Sequence, residues 1–303
     1  MGRYGDPEKE RGECLEVRVE KSIVDSTEFG NTGRKVSIIG LGGEGILRTH
    51  GHEEEAQEVI LEAVRRGITY FDSARVYAGS ESYYGLVWPP NPDFRSRIFQ
   101  TSKSAKRDKK GALVDLETTL RNMGVDHLDL WQIHDMRTEG DLEAISGPRG
   151  SLEAFASAKA AGKVRFIGVT GHHDPSILTR AVREWPVDSV LLPVNPVEAS
   201  LGGFLDETLA EAHKKGLAII GMKVLGAGHY VLPDLDVTPE LLIRFALSQK
   251  ITLAIVGCST PEEVRTLTRV GRNFKPLSKK EQSEVIDRFR PYAARLAYYR
   301  GTL

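Results

Sequence analysis

The chain has 303 residues, 40% hydrophobic and 27% charged, with 41 lysines and arginines against 42 aspartates and glutamates. That balance suits a soluble globular protein with a substantial core and excludes a chain-wide attraction to nucleic acid or an anionic membrane. Only two cysteines occur, Cys14 and Cys258, so neither a disulfide framework nor a zinc ribbon is expected, and a reducing cytoplasmic setting fits.

The opening "MGRYGDPEKERGEC" is charged and lacks the apolar run of a signal peptide. No stretch approaches the roughly 20 apolar residues of a membrane span. Residues 1–20 are expected to form a flexible N-terminal extension, followed by one domain over 21–303.

In chain order, the strand candidates are "VSIIGLGG" (36–43), "ITYFDSA" (68–74), "RIFQTSK" (97–103) and "LDLWQIH" (128–134), then "VRFIGVT" (164–170), "SVLLPVN" (189–195), "LAIIGMKVL" (217–225) and "LAIVGCS" (253–259). Most are continuous apolar runs, as expected of strands covered on both faces in a parallel sheet. Helical stretches lie between them. "EEEAQEVILEAVRRG" puts Val59, Ile60, Ala63 and Val64 on one face and closes on Arg-Arg-Gly, and "KGALVDLETTLRNMG", "SLEAFASAKAAGK" and "FLDETLAEAHKKG" end in the same manner. "DPSILTRAVREW" and "TPELLIRFALSQK" each begin with a capping residue and a proline at the first helical position. "PLSKKEQSEVIDRFRPYAARL" predicts an extra C-terminal helix.

Eight strand–helix units of about 30 residues describe a (β/α)8 TIM barrel, an α/β fold in a single domain. A doubly wound open sheet is the alternative. Its glycine-rich turn is poorly matched by "GLGGEG" (40–45), whose spacing departs from G-x-G-x-x-G.

Active groups of such barrels lie at the C-terminal ends of the strands. Asp72 ends the second strand, Lys103 the third and His134 the fourth, each 31 residues after the last, with Tyr77 in the loop after Asp72. Singly, each has a plain structural reading: a helix cap, a surface lysine, a hydrogen-bonded core histidine, a loop aromatic. Jointly they describe a proton donor. A tyrosine, ordinarily of pKa about 10, would be acidified by a neighbouring ammonium that the aspartate keeps charged, while the histidine orients a substrate oxygen. Protonating a carbonyl oxygen in this way calls for a hydride donor, which only a cofactor such as a nicotinamide supplies.

"YFDSARVYAGSE", "IFQTSKS", "LDLWQIH" and "VRFIGVTGH", in this order and spacing, resemble the aldo-keto reductases, and the similarity runs through most of the chain to "IVGCSTPEEV". The resemblance implies that Asp72, Tyr77, Lys103 and His134 are the catalytic tetrad of an NAD(P)(H)-linked carbonyl reductase or alcohol dehydrogenase. It further implies a small carbonyl or alcohol substrate, no nucleic-acid, membrane or metal partner, and a monomer.

For the cofactor, the resemblance implies contacts from Gly43 and from Thr170 and Gly171, which replace the family's usual Ser-Asn. Leu192 stands where a glutamine is usual, and Met222 where an aromatic often stacks on the nicotinamide. Lys223, Leu225, Gly226 and Gly228 of "GMKVLGAG" are expected along the pyrophosphate. Gly257, Ser259 and Glu263 fall where NADP-binding members usually place basic residues, and the helix starting at Pro261 offers backbone N–H groups to an anion. Family habit implies NADP (NADPH); Glu263, which would repel a phosphate and suit a ribose hydroxyl, makes NAD (NADH) the competitor. Trp88, Trp131 and Tyr230 are candidate pocket aromatics.

Two rival readings stand beside this one. A metal-dependent barrel hydrolase would take ligands from "HD" at 134–135 and "HHD" at 172–174. A cofactor-binding regulatory subunit without turnover would keep the barrel and the dinucleotide site.

Overall fold

A computed structural model describes residues 24–301 of the chain; the expected N-terminal tail and Cys14 lie outside them. Eight strands close a parallel barrel: β3 (Ile39–Gly45), β4 (Tyr70–Phe71), β5 (Phe99–Ser104), β6 (Leu128–Met136), β7 (Val164–Gly171), β8 (Ser189–Pro193), β9 (Ala218–Met222) and β10 (Leu253–Cys258). β10 pairs with both β9 and β3, so the sheet has no free edge. All eight expected strands are present, although β4 shrinks to two residues and β9 stops at Met222.

One element departs from expectation. The run 36–43 does not form one strand: β1 (Ser26–Glu28) and β2 (Lys35–Ser37) make an antiparallel hairpin, and the barrel strand begins only at Ile39. The hairpin places Phe29 against Phe99, with ring centres 4.7 Å apart, and against Tyr70 at 6.1 Å. Phe99 and Tyr70 begin their strands, so the hairpin plugs the N-terminal end of the barrel. Gly30 makes the approach feasible: its φ is +54°, and a Cβ there would collide with the Ala218 amide.

Strand alternation divides the core in two. Tyr70, Phe99, Leu130, Leu191, Ile220 and Ile255 fill the barrel axis, while Leu41, Phe71, Trp131, Val190 and Leu192 face the surrounding helices. The capped helices form as expected. Asp174 accepts from the Ser176 N–H ahead of Pro175–Glu184, and Thr238 accepts from the Leu241 N–H ahead of Pro239–Leu247. The extra C-terminal helix is Lys279–Phe289, begun by a reciprocal Ser278–Glu281 cap. Among the described residues, no helix is long and apolar enough to cross a membrane.

Candidate active site

The same alternation aims the site. Tyr70 and Asp72, Thr101 and Lys103, and Leu130, Gln132 and His134 are spaced two apart, so each ionisable residue continues an inward-facing row at a strand's C-terminal end. Lys103 and Asp72 are both buried, and Lys103 Nζ lies 2.7 and 2.6 Å from the two Asp72 carboxylate oxygens. The ammonium also donates to the Ser73 carbonyl at 2.7 Å, and Thr101 Oγ1 donates to Asp72 Oδ1 at 3.0 Å. The pair therefore meets the saturation that buried charges require.

Tyr77 stands over this pair. Its ring centre is 4.9 Å from Lys103 Nζ and 5.0 Å from the Arg48 guanidinium carbon, and His134 meets it edge-on at 5.7 Å. Gly43 lets the ring in: a Cβ there would lie 2.7 Å from Tyr77 Cδ2. His134 Nδ1 is buried without a hydrogen-bond partner among the described residues. Arg107 holds the backbone just beyond it, donating to the His134 and Asp135 carbonyls at 2.7 Å each.

The electrostatics correct one expectation. The Tyr77 phenol is not acidified: burial pushes it well above its ordinary value, the Asp72 and Glu44 carboxylates add to the rise, and Arg48 opposes them. The Lys103 ammonium is bonded to Asp72 and faces the Tyr77 ring at 4.9 Å. Burial lowers Lys103 itself, with Asp72 opposing. Burial first, and then the Lys103 charge, hold His134 well below the usual imidazole range, so it is neutral.

A cavity of about 860 Å³ opens beside Tyr77, within the range of small-molecule and cofactor sites. Of the residues expected to contact a cofactor, Gly43, Met222, Lys223, Leu225, Gly226, Gly228, Gly257, Ser259 and Glu263 line it. Thr170, Gly171 and Leu192 do not. Thr170 Oγ1 accepts the Asp135 N–H at 2.9 Å, Gly171 packs on Met136 and Leu178, and Leu192 points outward because Leu191 takes the inward position. Trp88, Trp131 and Tyr230 are core residues: the Trp88 indole donates to Gln100, Trp131 stacks on Phe155, and the Tyr230 hydroxyl donates to the Leu296 carbonyl.

Sequence reasoning did not single out Arg48, Glu44 or Tyr298, which also line the cavity. Tyr298 comes from the C-terminal segment, held down by Arg300, whose guanidinium pairs with buried Glu198, and by Tyr299, whose hydroxyl donates to Glu198 Oε1 at 2.8 Å. No local pattern marks those partners, which are about a hundred residues apart.

The cavity's donor set fits a dinucleotide. Lys223 is a half-buried cation without a carboxylate partner among the described residues, and its ammonium rests 5.8 Å from the Tyr299 ring. Positive φ angles at Lys223, Gly226, Ala227 and Gly228 expose a turn of backbone to the same space. Lys223 and this turn would hold a pyrophosphate. Among the described residues, no three His, Cys, Asp or Glu side chains converge as a metal site would require.

The model of the aldo/keto reductase family matches residues 38–232. The chain is 28% identical to the L-galactose dehydrogenase of Arabidopsis thaliana over 227 residues, covering 68% of this chain and 66% of that protein. It is 26% identical to aldo-keto reductase yakc [NADP(+)] of Schizosaccharomyces pombe, covering 70% and 65%. The chain thus spans just under two thirds of the length of these relatives. In structure it resembles aldo-keto reductase AKR11C1 from Bacillus halodurans, with a TM-score of 0.73 at 17% identity, covering 88% of this chain and 96% of that one. An aldo-keto reductase from Klebsiella pneumoniae in complex with NADPH gives 0.73 at 20% identity, covering 89% and 96%.

Proposed function

Because the chain belongs to the aldo/keto reductase family, we propose that it is an oxidoreductase interconverting a small aldehyde or ketone and its alcohol with a nicotinamide dinucleotide. What supports this reading is that Tyr77 and Asp72 line one cavity whose other residues suit that cofactor, with Lys103 bonded to Asp72 and His134 edge-on to the Tyr77 ring just behind them. When bound, the dihydronicotinamide supplies the hydride that no side chain can.

The chain's own groups do the rest. Tyr77 Oη gives its proton to the carbonyl oxygen as the carbon takes up hydride, and the phenolate is then reprotonated from solvent. Burial keeps the phenol protonated across the neutral range, so the proton is in place when the carbonyl arrives. The Lys103 ammonium, fixed by Asp72, faces the ring and limits the charge that develops on it in the transition state. Neutral His134 offers an imidazole N–H to the same oxygen and orients it. We place the enzyme in the cytoplasm, a reading supported by its scarce cysteine, and take it as a monomer by family resemblance.

The test is stopped-flow oxidation of bound dihydronicotinamide by a panel of aldehydes and ketones, run with NADPH and NADH in parallel. Turnover supports the reading. Tight binding of either dinucleotide with no turnover on any carbonyl would favour the regulatory subunit instead.

A further inference from the structure

This inference rests on the dinucleotide reading above and concerns which dinucleotide. With the hydride donor at Tyr77, the remainder of an extended cofactor has to follow the cavity away from that residue. The cavity passes between the end of β10 and the helix Pro261–Arg272, where Ile243 and Leu267 give an apolar wall to an adenosine. The carboxylate side chains lining this part are Glu262 and Glu263, with Glu44 packed against Gly257 at the end of β10.

Of the two cations in the cavity wall, Arg48 lies over the Tyr77 ring and is bonded to Glu44 at 2.6 Å, and Lys223 lies beside Tyr299. Arg265, on the same helix, is bonded to Glu62 at 3.0 Å and to Glu262 at 2.9 Å and is not part of the wall. Two of the backbone donors expected to receive an anion are also occupied. The Ser259 N–H donates to Glu263 Oε2 at 2.5 Å, the Glu263 N–H donates to Thr260 Oγ1 at 3.3 Å, and Pro261 has none.

We infer that the ligand carries a free 2′-hydroxyl on its adenosine ribose, so that the protein binds NADH in preference to NADPH, and that Glu262 and Glu263 set this choice. A carboxylate accepts a hydrogen bond from a ribose hydroxyl. A 2′-phosphate of charge about −1.5 to −2 would instead enter beside two carboxylates, of which Glu262 is paired with Arg265 at 2.9 Å and Glu263 is bonded to the Ser259 N–H. The outcome runs against the habit of a family with NADP-linked members.

Equilibrium titration of the full chain, followed by tryptophan fluorescence without any carbonyl substrate, tests this. NADH is expected to bind at least about tenfold more tightly than NADPH, a gap of about 1.4 kcal/mol, and added salt is expected to narrow it by screening. The Glu262→Gln/Glu263→Gln double variant keeps hydrogen-bonding groups at both positions and is expected to bind NADPH about tenfold more tightly than the parent. Glu262→Lys, at an exposed position that does not cap the turn, is expected to shift preference in the same direction. Equal affinities, or tighter NADPH binding by the unaltered chain, would overturn the inference while leaving the proposed function standing. Binding of neither dinucleotide would overturn both.

Discussion

Lys103 Nζ lies 2.6 Å from Asp72 Oδ2 but 4.9 Å from the centre of the Tyr77 ring. The ammonium is thus bonded to the carboxylate and only faces the phenol. Its effect on Tyr77 belongs to the moment when charge builds on the ring rather than to the resting pKa.

Tyr77→Phe is expected to lower carbonyl reduction by about 10²–10⁴-fold, the range for losing a general acid, while dinucleotide affinity changes little. Single-turnover kinetics beside a binding titration measures both. An unaltered reduction rate would remove Tyr77 from the role of acid.

The phenol's raised pKa also sets a pH profile. Because Tyr77 acts in its protonated form and burial lifts its pKa above the ordinary 10, kcat/KM for reduction should show no alkaline fall attributable to it up to pH 10. A descending limb centred near pH 8 that disappears in Tyr77→Phe would show instead that the lysine acidifies the phenol.

Lys103→Met leaves the Asp72 carboxylate buried without its cation, which is expected to cost about 3–5 kcal/mol in urea unfolding. The double variant Asp72→Asn/Lys103→Met removes both charges and should regain most of that stability without regaining activity. If activity returned along with stability, the lysine's part would be structural alone.

His134 is kept neutral when folded, while its unfolded pKa lies near 6.5. Below that pH the unfolded chain takes up a proton that the folded chain refuses. Stability from this group is therefore complete above pH 6.5 and is lost as pH falls towards the folded pKa, by at most about 1.4 kcal/mol per pH unit. Unfolding of the parent and of His134→Gln at pH 7.5 and 5.5 checks the sign: the parent should lose more on acidification.

Arg300→Ala should free the C-terminal segment. Burial raises Glu198 and the Arg300 guanidinium opposes that rise, so the two hold one another. Hydrogen exchange should quicken over residues 297–301, which carry the cavity residue Tyr298, with the barrel strands still protected. Uniform exchange across parent and variant would show that the pair does not hold the segment.

The barrel was legible because its signals are local. Apolar runs such as "RIFQTSK" and "LDLWQIH" separated by capped helices specify β5 and β6 wherever they sit, and a period of 31 residues brings Asp72, Lys103 and His134 to neighbouring strand ends. The hairpin around Phe29 was not legible, because its strands have three residues each and "VSIIGLGG" reads as one apolar run. Leu192 was misplaced for a related reason: a run apolar on both faces does not disclose which residue of Leu191 and Leu192 turns inward.

The order of residues alone therefore determined the architecture and which four side chains share a rim, since strand and helix periodicity act over a few residues. Closure of the barrel decided the remainder: the state of the Tyr77 phenol, the placing of Arg48 and Glu44 in the cavity wall, and the fastening of Tyr299 and Arg300 to Glu198. Burial and Coulomb forces depend on distances through space, and those exist only once strands far apart in the chain have met.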